Sequence, residues 1–328
     1  MTTQSRLNIV IFGVGAMGSL FGSRLAKLAH VTLLGNWAEQ IETVRRDGLT
    51  ISYPDGSQTH HTLRITNNLA EVPPADIALI LVKSYQTERA AQQAAQILKP
   101  DGLAVTLQNG LGNREILAEA VGPQRAGLGI TAQGATVLAP GHLYHAGQGP
   151  TYLADMPGQS DRLAEMAALF NKAGLETSLV DNADSLVWGK LAINAGINPL
   201  TALLEIPNGA LAEDEQLSQM MAAAASEVAQ VAAAQGIRLP YEDAARRTAE
   251  VSQATASNRS SMLQDVSRAA PTEIEAISGA VVRFGKRLGI PTPVNEFLLR
   301  TVKAKEAGLA FTLPSLQSSA LALVKSSA

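Results

Sequence analysis

The chain has 328 residues, more than one compact core usually supports, so its length favours two domains. Its formal net charge of -3, from 26 Lys and Arg against 29 Asp and Glu, supplies no basic field to attract nucleic acid or anionic lipid. The absence of cysteine excludes disulfides, thiolate catalysis and cysteine metal sites, and no segment approaches the roughly 18 consecutive apolar residues of a membrane span.

The opening MTTQSRLNIVIFGVG contains a short apolar run that ends in glycines, without a longer apolar core or a small-residue cleavage site. It reads as a first strand rather than a secretory signal, so a soluble cytoplasmic protein is expected. From Leu7 to about Asn182, apolar runs (LNIVIF, HVTLL, IALILVK, LAVTLQN, ETSLV) alternate with amphipathic stretches. That alternation predicts βαβ units on a parallel, doubly wound sheet whose buried strands are continuously apolar.

Directly after the first strand, Gly13, Gly15 and Gly18 stand in G-x-G-x-x-G spacing and open a helix, the Rossmann dinucleotide fingerprint. Gly13 would allow the tight turn, Gly15 the approach of a pyrophosphate and Gly18 close helix packing, with Ala16 and Met17 in the first turn of the helix. A glycine turn alone is a weak signal; its place on the first strand of an alternating domain gives it weight. The next strand ends near Leu34, where an acid would favour NAD and an arginine NADP. Asn36 is neutral there, and the missing acid favours NADP(H) without excluding NAD(H). Arg45 and Arg46 follow on the next helix, within conceivable reach of a 2′-phosphate.

GLTISYPDGSQTHHTLRIT then pairs two alternating segments across Pro54-Asp55-Gly56, which predicts a β-hairpin inserted near the sheet edge. Lys83 and Ser84 follow the strand IALILV, and Gln108, Asn109 and Gly110 follow LAVTL, all at carboxyl ends of strands, where open α/β sheets bind ligands. Capping and turn formation would also account for them. A second β-rich stretch lies around GLGITAQGATVLAPGHLYHAG. The five histidines, His30, His60, His61, His142 and His145, show neither metal-ligand spacing nor a shared helix face.

Beyond about Ala183 the texture becomes Ala-, Leu- and Gln-rich, so the chain divides into residues 1–182, an NADP-binding Rossmann domain, and 183–328, an all-helical domain. Lys190, Asn194 and Asn198 recur every four residues and stack on one helix face, either a substrate surface or an interdomain seam. Pro199 predicts a bend or break at Asn198. A helix from about Glu213 to Gln235 should stop at Gly236, and its apolar face around Met220 to Ala234 is core or, in a homodimer, interface. The Ser- and Ala-rich tail after Leu313 reads as a loosely held helix or a frayed end.

WGKLAINAGINPLTAL, PNGAL, NRSSMLQD and TEIEAISG resemble signature segments of ketopantoate reductases, and the glycine loop, VKSYQT and LQNGLGN are similar to theirs. The resemblance runs from Leu7 to about Val302 and implies reduction of 2-dehydropantoate to pantoate by NADPH, on the route to pantothenate and coenzyme A. It implies Lys190 as general acid and Glu273 as the carboxylate that binds the substrate hydroxyl and organises the lysine. It likewise implies Asn194, Asn198, Asn258 and Ser261 as substrate contacts, and Lys83, Asn109 and Glu273 on the nicotinamide side. Without it, Glu273 would read as an acid complementing a helix start. Asn36 departs from the family's usual arginine, and Glu275 and Ser278 from an aspartate and an asparagine. A paralogous 2-oxoacid or imine reductase, or a non-catalytic NADP(H) sensor, are the competing readings.

Overall fold

The computed structural model describes residues 6–309, so the tail after Leu313 lies outside the described residues. The chain gathers into two compact units: residues up to Gln108 with Gly112–Ala183, and Asn109–Leu111 with the residues from Asp184 onward.

The first unit carries β1 (Asn8–Phe12), α1 (Ala16–Leu25), β2 (His30–Leu34), α2 (Ala38–Asp47), β3 (Leu49–Ser52), β4 (Gln58–His61), β5 (Arg64–Thr66), β6 (Ala75–Ile80), α3 (Thr87–Ile97), β7 (Leu98–Thr106), α4 (Asn113–Val121), β8 (Ala126–Thr131), β9 (Gly134–Ala139), β10 (His142–Gly147), β11 (Thr151–Ala154), α5 (Ser160–Lys172) and β12 (Thr177–Val180). Its main sheet runs β12-β11-β8-β7-β6-β1-β2-β5. The strands from β5 to β8 are parallel throughout, and β11 returns antiparallel to β8. Strand order reverses between β1 and β6, which opens a crevice at the carboxyl ends of those two strands.

β1 shows why these strands are apolar throughout. Ile9 and Ile11 join a core with Leu20, Phe21 and Leu33, while Val10 and Phe12 join another with Ala90, Ala91, Ala94 and Leu117. Successive side chains point to opposite faces, and both faces are covered.

The predicted hairpin is present, with Leu49 opposite His61 and Ser52 opposite Gln58. Gly56 turns it at φ +82°, and the Asp55 carboxylate accepts hydrogen bonds from the Ser57 amide and hydroxyl. It does not extend the main sheet. β3 pairs with β10 instead, giving a second sheet in the order β4-β3-β10-β9 whose Leu49, Ile51 and Leu143 share the core of α1. The β-rich stretch after Ala126 is thus divided between two sheets.

The second unit is built from α6 (Asp184–Leu204), α7 (Glu215–Ala233), α8 (Ala244–Ala254), α9 (Ser261–Ser267), α10 (Ser278–Leu288) and α11 (Pro293–Glu306), with no strand among the described residues. The Asp214 carboxylate caps α7 by accepting from the Gln216 and Leu217 amides, and Gly236 (φ +74°) follows its end. Met220, Met221, Ala224, Ala225, Val228 and Val231 are wholly buried within the chain itself, so this face of α7 is core.

Of the bend or break expected at Asn198, α6 excludes the break. It runs unbroken through Pro199 to Leu204. Thr201 turns its hydroxyl back toward the Ile197 and Asn198 carbonyls, and Ile197 to Leu203 are all buried. Packing on every side outweighs the hydrogen bond that proline removes, a cost of about 3 kcal/mol in an exposed helix. No helix among the described residues is long and apolar enough to cross a membrane.

Candidate active site

In the first unit the glycine loop is shaped by close approach. Gly13 takes φ +124°, and a Cβ there would stand 2.7 Å from the Leu81 carbonyl oxygen. A Cβ on Gly18 would lie 1.9 Å from the Gly13 carbonyl oxygen, whereas one on Gly15 would meet nothing. Gly15 is the N-cap of α1, and neither a capping side chain nor an acid in the first turn covers the amides around Ala16 and Met17. An open, uncapped helix start fits the pyrophosphate of a dinucleotide.

Asn36 is exposed just beyond β2, with Gly35 before it tied to the Thr66 carbonyl at 3.1 Å. The two arginines are engaged elsewhere. Arg45 donates from Nε to the Ile65 carbonyl at 2.9 Å and faces Glu71 at 3.9 Å, while Arg46 is paired with Asp47 at 2.6 Å. Lys83, half-buried after β6, accepts the Gln86 amide on its carbonyl. Gln108 has a structural task. Its Nε2 donates to the Val82 carbonyl at 2.8 Å and to the Thr87 hydroxyl at 2.9 Å, and its Oε1 accepts from Thr106, tying the ends of β6 and β7 together.

The three residues after Gln108 belong to the helical unit. Gly110 takes φ +83°, its Cα so close to Ala276 that a Cβ would meet that carbonyl oxygen at 2.4 Å, and the Leu111 amide donates to the same oxygen at 3.0 Å. This seats Asn109 in the unit that holds Glu273.

There, Lys190, Asn194 and Asn198 lie along α6 at the predicted spacing. The Lys190 side chain is partly accessible overall, yet burial around its ammonium lowers the pKa to about 8, with the Glu273 charge acting in the opposite direction. Glu273 is 6% exposed and lies in the turns before α10, which begins five residues later with no acid in its first turn. It therefore does not serve as a complement to that helix's dipole. Asn258 sits on the segment between α8 and α9 and is exposed, and Ser261 opens α9 and is half-buried. Among the described residues, the side chains of Asn194, Asn198, Asn258 and Ser261 make no hydrogen bond, which leaves four polar groups for a ligand.

Glu275 is held by Lys303 at 2.5 Å and Arg283 at 3.2 Å, which lower its pKa, and the Ser278 hydroxyl is buried without a partner. Sequence reading missed Tyr241, whose hydroxyl donates to the Gly189 carbonyl at 2.6 Å and so grips the peptide unit that leads into Lys190. Nothing local signals a partner 52 residues away. The histidines occupy the first unit; His142 meets Ser52 at 2.8 Å and His145 meets Gln133 at 2.8 Å. Among the described residues no cluster of three or more His, Asp or Glu could hold a metal ion.

The sequence models described as "Ketopantoate reductase PanE/ApbA" and "Ketopantoate reductase PanE/ApbA C terminal" match residues 9–158 and 182–306. The chain belongs to the ketopantoate reductase family. Similar family proteins named 2-dehydropantoate 2-reductase occur in Halobacterium salinarum, 38% identical over 90% of this chain and 98% of its own, and in Archaeoglobus fulgidus, 36% identical over 92% and 98%. Among solved structures, the ketopantoate reductase of Ralstonia eutropha JMP134 superposes with a TM-score of 0.84 at 28% identity, covering 92% of this chain and 99% of that one. A ternary complex of D-mandelate dehydrogenase with NADH and anilino(oxo)acetate superposes with a TM-score of 0.85, also at 28% identity and with the same coverage.

Proposed function

We propose that this ketopantoate reductase family member reduces 2-dehydropantoate to pantoate with NADPH, using Lys190 as general acid. The observation that carries the reading is Lys190 itself, an ammonium on the polar stripe of α6 whose pKa stands at about 8 and which feels the buried Glu273 carboxylate. Relatives named for this reaction along nearly their whole length support it.

When bound, the reduced nicotinamide supplies the hydride that reaches C2 of the ketone. As negative charge gathers on the ketone oxygen, Lys190 stabilises it and delivers a proton to it, and an acid whose pKa lies near the working pH does both well. Glu273 counteracts the desolvation that would otherwise strip the ammonium of its proton, and its carboxylate accepts the substrate hydroxyl. The uncommitted side chains of Asn194, Asn198, Asn258 and Ser261 hold the substrate's carboxylate and hydroxyl. Gly13, Gly15, Ala16, Met17 and Gly18 cradle the pyrophosphate, Asn36 meets the adenosine ribose, and Lys83, Asn109 and Glu273 line the nicotinamide side. Because no acid repels a 2′-phosphate at Asn36 and no arginine grips it, NADPH is the donor and NADH is also accepted. We take the setting to be cytoplasmic, within coenzyme A biosynthesis.

The test is oxidation of NADPH and NADH by the purified protein with 2-dehydropantoate and with a series of other 2-oxoacids. Turnover that favours 2-dehydropantoate upholds the proposal. Reduction of another 2-oxoacid with 2-dehydropantoate inert assigns the same chemistry to a different substrate, and nucleotide binding with no reduction of any 2-oxoacid overturns catalysis altogether.

A further inference from the structure

Ser261 and Asn258 are separated in sequence from the α6 stripe by about 60 residues, and something must hold them in register with it. Hydrogen bonds reach that segment at both of its ends. At one end, the Asn208 amide donates to the Asn258 carbonyl at 3.0 Å and the Gly209 amide to the Ala256 carbonyl at 3.0 Å. Asn208 is itself fixed, its Nδ2 donating to the Thr255 hydroxyl at 2.9 Å and its carbonyl accepting from Ser252 at 2.7 Å. This explains PNGAL as a backbone clamp rather than a ligand site.

At the other end, beside the packing of Met262 in the core it shares with α6, a side-chain hydrogen bond ties α6 to the start of α9. Thr201, fully buried and three residues past Asn198, stands 2.7 Å from the hydroxyl of Ser260, which is 6% exposed. Its hydroxyl also lies 3.0 Å from the Ile197 carbonyl and 3.1 Å from the Asn198 carbonyl. The Ser260 oxygen accepts the Leu263 amide at 3.1 Å, as the N-cap of α9. Each hydroxyl has one proton. The Thr201 hydroxyl donates to Ser260 at the shortest of its three contacts, so the Ile197 and Asn198 carbonyls are the competing acceptors for the same proton. Two hydrogen bonds meeting at the Ser260 oxygen then link Thr201, one turn beyond Asn198 on α6, to the first turn of α9, where Ser261 stands.

We infer that the Thr201–Ser260 hydrogen bond is a positioning latch for substrate recognition, holding Ser261 and Asn258 in register with Lys190, Asn194 and Asn198. The inference rests on the reading of those residues as the 2-oxoacid site. Thr201 touches no substrate; it acts through Ser260.

The test compares Thr201→Val, which keeps the shape and loses the hydroxyl, with Thr201→Ser, which keeps the hydroxyl. We expect Thr201→Val to raise KM for the 2-oxoacid by about 10-fold, the scale of one net hydrogen bond, with KM for the nucleotide unchanged and Thr201→Ser close to wild type. Ser260→Ala should show the same split, and adding Thr201→Val to it should cost no more, because the shared bond is already lost. Hydrogen exchange provides a readout independent of substrate: amides at Ser261 to Leu263 should exchange faster in Thr201→Val. Unchanged KM and exchange in a folded Thr201→Val protein overturn the latch, as do equal defects in the Val and Ser variants or additive effects of the two substitutions. If the wild type reduces no 2-oxoacid, the functional reading fails while exchange still decides the latch.

Discussion

At Lys190 two opposing effects meet and burial prevails, lowering its pKa to about 8 against the raising effect of Glu273. A general acid must carry its proton, so kcat/KM should be level below pH 8 and fall as pH rises through that value. Removing the Glu273 charge takes away the raising effect and leaves desolvation, so Glu273→Gln should move this alkaline limb to lower pH, measured as the pH profile of ketone reduction. An unmoved or upward-moving limb contradicts the pairing. Asn36 lends itself to the complementary gain. An arginine there could reach a 2′-phosphate with charge-assisted hydrogen bonds, so Asn36→Arg should raise the preference for NADPH over NADH by roughly 10-fold, read as the ratio of kcat/KM for the two nucleotides. Lys190, Asn194 and Asn198 were legible in the sequence because spacing by four is itself geometry on a helix. Glu273 was not, because only folding shows that it is buried and clear of the α10 terminus; family resemblance, not local pattern, singled it out.

Elements were legible where local chemistry decides them. Pro54-Asp55-Gly56 announced the hairpin, and the alternation of apolar runs with amphipathic stretches announced the parallel sheet. The pairing of β3 with β10 was hidden, since it joins residues about 90 apart and no local pattern marks the partner. Pro199 misled for a related reason: the local rule for helix breaking yielded to a helix buried along its whole second half. α11 offers an element-scale test. Its first turn is capped at a distance by Glu227 of α7, 6% exposed, which accepts from the Val294 amide at 2.8 Å and from the Asn295 amide and side chain at 2.9 and 2.7 Å. Glu227→Ala leaves two buried backbone donors without an acceptor and the Asn295 side chain with the Ala224 carbonyl alone, and should destabilise the chain by about 2–4 kcal/mol, measured by urea unfolding. A loss within error of zero would show that the cap contributes nothing.

At the scale of the whole molecule, length and the change of texture near Ala183 pointed to two units, and the chain does gather into two. The sequence could not show that Asn109–Leu111 leave the strand-rich unit to join the helical one, because the contact with Ala276 spans more than 160 residues. That detour has a chemical sense in the proposed enzyme, for it places the amide of Asn109 in the unit that carries Lys190 and Glu273. The measurement that bears most directly on this account is the rate of 2-dehydropantoate reduction by Lys190→Ala beside its affinity for NADPH. With the general acid removed and the glycine loop intact, the rate should fall by roughly 10²–10⁴-fold while nucleotide affinity stays near that of the wild type. A variant that reduces the ketone at the wild-type rate would contradict the role given to Lys190.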